Sequence, residues 1–377
     1  MHKKICIFTT AHPPFDVRIY HRQARSLFEA DYNVVLLVAG KIHKKFRDEI
    51  KIKEIKRGKH RLWRFLSIFK MLSHCIREKA DLYHFHDPEL LPVGCALKHI
   101  MRKPVIYDCH ENYPEVAYER TWYPQWFKPV LSKSIAFFEP LLAKCLDAVV
   151  CVVPDQQPRF ERKKCLTVLV QNFPRLEIFQ NENYKAIARE DKIIYLGNLS
   201  QARGIQTLIQ MMTRLVQSHP HIKLVCLGTF SEQHVKINTL KWMQEYNLST
   251  QIEFLPPVPH QQVPKHLFSS RIGLAPFLPQ KHTMKMFAPN KIFEYMACKL
   301  PVVASRLPSL ERIISDSGAG MLFDPTDPDD LYQKVVILLD DENLSSTLGN
   351  NGHDFVFRNF NWKHEEKKLL TLYQRLL

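Results

Sequence analysis

Two cationic side chains, Arg203 and Lys291, stand where helices are expected to begin, next to the positive end of a helix dipole. In the stretch 288–296, Pro289 suits a first helical turn because its ring pre-sets φ and its missing N–H would be unpaired there anyway. Lys291 then needs an anion close by, and a phosphate is the economical one, since the free N–H groups of a helix start already attract it. Asn290 shares that turn, and Glu294, one turn on, is placed to accept hydrogen bonds from sugar hydroxyls. A solvated lysine and a dipole-friendly glutamate are the plainer reading. The second site resembles the first. Ile193 to Gly197 is a short apolar run that reads as a buried parallel strand, and the polar segment from Asn198 to Gly204 leads into a helix-period stretch, 205–216. With Gly228 closing the next strand, Arg203 and Lys291 would clamp the two phosphates of a nucleotide diphosphate.

Polar side chains also follow the strands expected in the first half: His12, Asp16 and Arg18 after 4–10, His86 and Asp87 after 81–86, His110 and Glu111 after 104–108. These would line an acceptor pocket, or else are loop residues satisfied locally; His84 and His99 read as structural.

These residues resemble those of the retaining family 4 glycosyltransferases. Gly197 with Arg203 and Gly204 is similar to that family's donor-phosphate loop, and 289–295 to its donor signature. The segments 15–27, 85–92 and 107–114 are similar to a subgroup of bacterial sugar transferases. The resemblance covers essentially the whole chain. It implies an α/β GT-B fold, with two Rossmann-like doubly wound domains facing a central cleft. It also implies transfer of a sugar, with retention, from a UDP or GDP sugar to a lipid-linked or glycan acceptor, as in cell-surface polysaccharide assembly. Under it, His110 lies near the transferred sugar and acceptor. Three positions depart from the family pattern: Met286 replaces the first of two glutamates, 9–16 lacks a glycine pair, and Asn198 stands where arginine is frequent. They keep open a non-catalytic sugar-nucleotide-binding subunit beside a GT-B isomerase or phosphorylase. No Asp-x-Asp motif lies on these loops, so the scheme calls for no metal and no cofactor; retention comes with the resemblance alone, and no protein nucleophile is assigned.

The elements that must position these residues alternate. Strands 4–10, 33–38, 81–86, 104–108 and 148–153 come with helices 18–30, 90–101 and 128–144. A second series has strands 193–197, 224–228, 252–255, 272–275 and 302–304, so two doubly wound domains are expected at 1–175 and 184–358, and the family resemblance implies that helix 360–377 crosses back onto the first. The linker falls in 171–183, where the pattern lapses into Pro, Asn and charge. A length of 377 residues suits two domains.

The formal charge is +15, of which the stretch 41–79 carries +10, with fourteen Lys/Arg against four Asp/Glu. Within it Leu62, Phe65, Leu66, Phe69, Leu72 and Ile76 share a helical face, and Trp63 lies off it. That is a basic amphipathic helix suited to an anionic membrane surface, or one packing on its own domain with solvated arginines. It has no RNA-binding signature, so nucleic acid is not expected. Nine cysteines without CxxC or zinc spacing, no signal-peptide core and no run of membrane-span length point to a cytoplasmic, peripheral protein.

Overall fold

The computed structural model describes residues 2–39, 49–55, 61–119, 123–280, 283–284 and 289–377. Met286 and most of 41–60 lie outside them. The chain divides into two compact units, 1–172 with 362–377, and 173–361, so the change of unit falls inside the polar stretch 171–183.

Unit 1 holds seven parallel strands: β1 (Lys4–Thr9), β2 (Asn33–Val38), β3 (Lys51–Glu54), β4 (Leu82–Phe85), β5 (Val105–Cys109), β6 (Ala148–Cys151) and β7 (Thr167–Leu169), in the order β3-β2-β1-β4-β5-β6-β7. β1, β4, β5 and β6 are buried almost throughout, which is why their sequences read as continuous apolar runs. Unit 2 holds six: β8 (Lys192–Leu196), β9 (Lys223–Leu227), β10 (Ile252–Leu255), β11 (Ile272–Ala275), β12 (Val302–Ser305) and β13 (Gly320–Phe323), ordered β10-β9-β8-β11-β12-β13. Each sheet has a point where strand order reverses, between β1 and β4 and between β8 and β11, and ligands of such sheets sit beyond the carboxyl ends of the strands at that point.

Three strands lie outside the sequence expectation: β3, β7 and β13. All are edge strands of three or four residues, only partly buried, so neither alternation nor an apolar run marks them. The basic helix spans Arg61–Glu78, and its core face carries Met71 and Cys75, fully buried, with Ile68, Leu72 and Ile76 packed beside them. Phe69, expected on the apolar face, instead turns outward at 70% exposure. The closing helix Trp362–Leu376 belongs to unit 1: Trp362 Nε1 donates to Ser26 Oγ at 2.8 Å, and the Tyr373 hydroxyl lies 2.7 Å from Nδ1 of the buried His84.

The segment expected as one helix over 18–30 begins as a π-helix, Val17–Ala24, and becomes α-helical at Arg25–Glu29. Asp16 caps it, accepting from the N–H groups of Arg18 and Ile19 at 2.8 and 3.0 Å. The wide turn carries Arg18, Arg22 and Gln23 inward, and all three are buried. Arg18 grips both oxygens of Asp108 through Nε and one terminal nitrogen at 3.0–3.3 Å, and spends the other on Val170 O and Asn172 Oδ1. Gln23 adds a third donor group to Asp108 at 2.5 Å.

Because Arg18 is 3% exposed and Asp108 not at all, removing one partner leaves the other charged and unsolvated. Asp108→Asn is expected to destabilise unit 1 by roughly 3–5 kcal/mol in chemical denaturation. The double replacement Arg18→Met with Asp108→Leu is expected to cost distinctly less than the single one, and equal losses would contradict this account of the pair.

Candidate functional site

In unit 2 the helix Asn290–Ala297 starts one residue later than the sequence suggested. Pro289 is its cap, with φ −68° and ψ 143°, and Asn290 is the first helical residue, so Lys291 stands second. Tyr295, one turn on, fixes that helix under the sheet. Its hydroxyl accepts from Leu196 N at 2.8 Å and donates to Leu274 O at 3.2 Å, bridging β8 and β11 at the reversal point. Lys291 shares the helix face of Tyr295 and reaches the same strand end.

Lys291 is 5% exposed, and its Nζ has no hydrogen-bond partner among the described residues. It lies 3.6 Å from the centroid of the Tyr195 ring and 5.1 Å from that of Phe277. A desolvated cation–π contact returns about 2 kcal/mol, whereas taking an ammonium out of water costs several. The aromatic platform therefore does not balance the burial. Burial above all, and then the charge of Arg203, holds the Lys291 pKa well below its ordinary value.

Gly197, directly after β8, has φ +114°, a conformation that side chains rarely adopt, and a Cβ there would rest in ordinary contact with both cations. That point is 3.5 Å from Lys291 Nζ and 3.7 Å from a terminal nitrogen of Arg203, so the two cations converge on it. Gly204 ends the 3₁₀ turn Gln201–Arg203 with φ +76°, and a Cβ there would meet the Pro276 carbonyl oxygen at 1.8 Å. Only glycine lets the chain turn so tightly behind Arg203. Gly228 backs onto the Gly197 carbonyl with the same lack of room. Asn198 is exposed beside them, its Oδ1 accepting from Thr229 Oγ1 at 3.3 Å. Among the described residues no carboxylate comes within salt-bridge distance of Lys291 or Arg203. Glu294 is buried and turns to His260, with Oε1 3.3 Å from Nε2.

In unit 1 the structure brings together His12, Asp16, His86, Asp87 and His110, at the ends of β1, β4 and β5. Asp87 is buried and accepts from Thr9 Oγ1 at 2.7 Å, Thr10 N at 2.5 Å and Ala11 N at 3.2 Å. His12 spans two carboxylates, with Nε2 3.5 Å from Asp87 and Nδ1 3.6 Å from Asp16. Burial opposes its charge, but the hydrogen bond to Asp16 and the fields of Asp87 and Asp16 prevail and raise its pKa. Behind it, His86 Nδ1 and His110 Nε2 lie 2.9 Å apart. Burial first, then the neighbouring cations, pushes His110 down to about 3 and His86 well below its usual value. The cluster thus pairs one protonatable histidine with two neutral ones. His110 reaches the surface at 10% side-chain exposure.

Arg18, expected with this group, has its donors engaged inside the unit, and Glu111 stands exposed on the loop after β5. His84, His86 and Asp108 offer three ligand atoms within 4.8 Å of one another. Arg18 already occupies both Asp108 oxygens, so a divalent ion there would face a guanidinium.

Tyr195, Phe277 and His260 escaped the sequence reading. A tyrosine in an otherwise aliphatic strand just before Gly197 is a usable signal for the first. Phe277 and His260 meet Lys291 and Glu294 only through the tertiary fold, and no spacing announces them.

Two doubly wound units, each with polar groups at the strand ends where the order reverses, define the class of fold. The Glycosyltransferase Family 4 model matches residues 17–165, and the Glycosyl transferases group 1 model matches residues 190–341. Each unit of the chain therefore matches a glycosyltransferase domain model, on the two-domain GT-B fold. Stretches aligned with two uncharacterized glycosyltransferases of Methanocaldococcus jannaschii span 23% and 22% of those proteins, less than a quarter of their length. The capsular polysaccharide biosynthesis glycosyltransferase CapM of Staphylococcus aureus is 21% identical over 82% of this chain and 81% of its own. Among solved structures, the sucrose-phosphate synthase of Thermosynechococcus elongatus superposes with a TM-score of 0.77 at 20% identity, covering 100% of this chain and 99% of that one. HepE of Anabaena, in complex with UDP-glucose, gives 0.73 at 16% identity, with both chains covered fully.

Replacing the unpartnered ammonium by an apolar group of similar length relieves the burial. Lys291→Met is expected to raise the melting temperature of the free protein by a few degrees, for a gain of roughly 1–3 kcal/mol. The same variant is expected to lose the upward shift that a nucleotide diphosphate gives the parent. A lowered melting temperature with the nucleotide shift intact would contradict it; thermal denaturation with and without UDP or GDP reads both.

Proposed function

We propose that the protein transfers a glycosyl group, with retention, from a UDP or GDP sugar to a hydroxyl of a lipid-linked or glycan acceptor. The work is done at the cytoplasmic face of an anionic membrane, without metal or organic cofactor. The observation that carries the reading is the convergence of Arg203 and the unpartnered Lys291 Nζ on the space beside Gly197. When the anomeric C–O bond breaks, its electron pair goes to a phosphate oxygen, and two preorganised cations stabilise the diphosphate that leaves. The cations need no reorganisation at that moment. Gly197 faces the phosphates while Gly204 and Gly228 let the backbone close in behind it, Asn198 and Asn290 flank them, and Glu294, held by His260, receives sugar hydroxyls. The acceptor side falls to Asp16, His86, Asp87, His110 and Glu111, with Arg18 holding the sheet end beneath them. The CapM relative supports an acceptor in polysaccharide assembly, and the HepE complex supports a UDP sugar as donor.

A second reading keeps the donor site and drops the acceptor: an isomerase or phosphorylase, or a subunit that binds the donor without turnover. Met286 and the missing glycines of the loop 9–16 favour the binding subunit. Product analysis with donor alone separates them, because an isomerase converts its donor unaided.

Arg203→Ala and Lys291→Ala are each expected to slow turnover at least about tenfold, a charge-assisted bond being worth roughly 1.5–3 kcal/mol. Rates equal to the parent enzyme's from both variants would overturn the proposal. The product's anomeric configuration, read by proton NMR, is expected to match the donor's, and a chelator is expected to leave the rate unchanged.

A further inference from the structure

The helix Phe127–Ala143 turns a second face outward that the donor and acceptor residues do not use. Trp126, Val130, Lys133, Phe137, Leu141 and Lys144 follow one another at steps of three and four, so they form a single stripe along it. Trp126 is 75% exposed, Val130 56%, Phe137 54% and Leu141 41%, with Phe138 at 55% on the stripe's edge. Two aromatic rings and two aliphatic side chains in one line on a surface are not the isolated exposure that needs no explanation. The helix's one acid, Glu139, points the other way. It is buried, 3.0 Å from Arg159 and accepting from the Tyr107 hydroxyl at 2.8 Å. Lys128 is buried too and donates to Tyr118 O at 2.9 Å. The outward face is left with Lys133 and Lys144 as its only charges, and Lys163 lies 5.5 Å from the Phe137 ring centroid.

We propose that this face of the helix Phe127–Ala143 is the surface on which unit 1 lies against an anionic lipid bilayer, its apolar stripe entering the headgroup boundary and its lysines meeting the lipid phosphates. The inference deepens the membrane placement proposed above, where the stretch 41–79 was the expected contact, and it is independent of the donor site. Charge complementarity decides the occupant. An aromatic stripe flanked by cations, with its sole acid withdrawn inward, suits an anionic interface. A second copy of the chain suits it poorly: self-pairing would gather four lysines from Lys133 and Lys144 on one seam with no carboxylate between them. Neighbouring helices extend the same character. Leu91–Met101 packs against both Phe127–Ala143 and Arg61–Glu78; it exposes its own Ile100 at 57%, and Arg61–Glu78 exposes Phe69 at 70%. Among the described residues no helix is long and apolar enough to cross a membrane, so contact of this kind lies on the surface.

The test is flotation of the purified full chain with vesicles of phosphatidylglycerol and phosphatidylcholine, against phosphatidylcholine alone. The parent protein is expected to float with the anionic vesicles and not the neutral ones, and Trp126 emission is expected to shift to the blue, a shift absent from Trp126→Phe. Phe137→Ser with Leu141→Ser, and separately Lys133→Glu with Lys144→Glu, are each expected to lower partitioning at least about tenfold. Their melting temperature and their UDP or GDP thermal shift should be unchanged, which establishes that they fold. Parent-like flotation of both helix variants overturns the proposal. If Lys41→Glu with Lys44→Glu and Lys45→Glu abolishes flotation while the helix variants keep it, this face is wrong and the membrane placement stands. If the parent floats with neither vesicle, both fall. A dimer seen by analytical ultracentrifugation that the helix substitutions dissolve, without vesicle affinity, assigns the face to a second copy.

Discussion

The burial of the Lys291 ammonium against the Tyr195 ring, without a counter-charge, is the constraint around which unit 2 is arranged. A fold selected for stability alone would place a methionine there, because the cation–π contact returns less than desolvation takes. Several features are arranged around the cost. Tyr295 bridges β8 and β11 and fixes the height of the helix, Gly197 adopts a positive φ where the two cations meet, and Gly204 turns the chain tightly behind Arg203. Each feature alone has a structural explanation. Together they bring two positive charges to one point beside Gly197, and the deficit they leave is what a dianionic ligand would remove.

Unit 1 solves the opposite problem. Its carboxylates are saturated: Asp108 by Arg18 and Gln23, Asp87 by the loop after β1 and by His12. The saturation lets His86 and His110 remain neutral in a setting rich in acid, since burial outweighs the field of the nearby carboxylates. Neutral imidazoles at a strand end can donate and accept hydrogen bonds without attracting counter-ions, which suits recognition of uncharged hydroxyl groups.

Much of this was legible beforehand, for identifiable reasons. Strands β1, β4, β5, β8 and β12 are buried almost throughout, so their apolar runs announce them, and the cationic residues at expected helix starts marked the place where Arg203 and Lys291 converge. The edge strands β3, β7 and β13 gave no such sign, because half-buried segments of three or four residues carry too little pattern. The π-helical winding at Val17–Ala24 was also hidden: Arg18 reads as a surface cation until its partner, Asp108, is known, ninety residues away. Phe69 failed similarly, since the face a helix buries is decided by its neighbours, here through Met71 and Cys75. The aromatic platform under Lys291 combines residues from β8 and the loop after β11, and pairings between elements so far apart leave no periodicity to read.

The central claim is that Lys291 is a cation stored at a cost and released from it by a diphosphate. Following the Lys291 side-chain carbon resonances through a pH titration, in protein labelled at lysine, tests it directly. The account predicts a titration midpoint well below that of an exposed lysine in the free protein, moving upward when UDP or GDP is bound. An ordinary lysine midpoint, indifferent to the nucleotide, would contradict it.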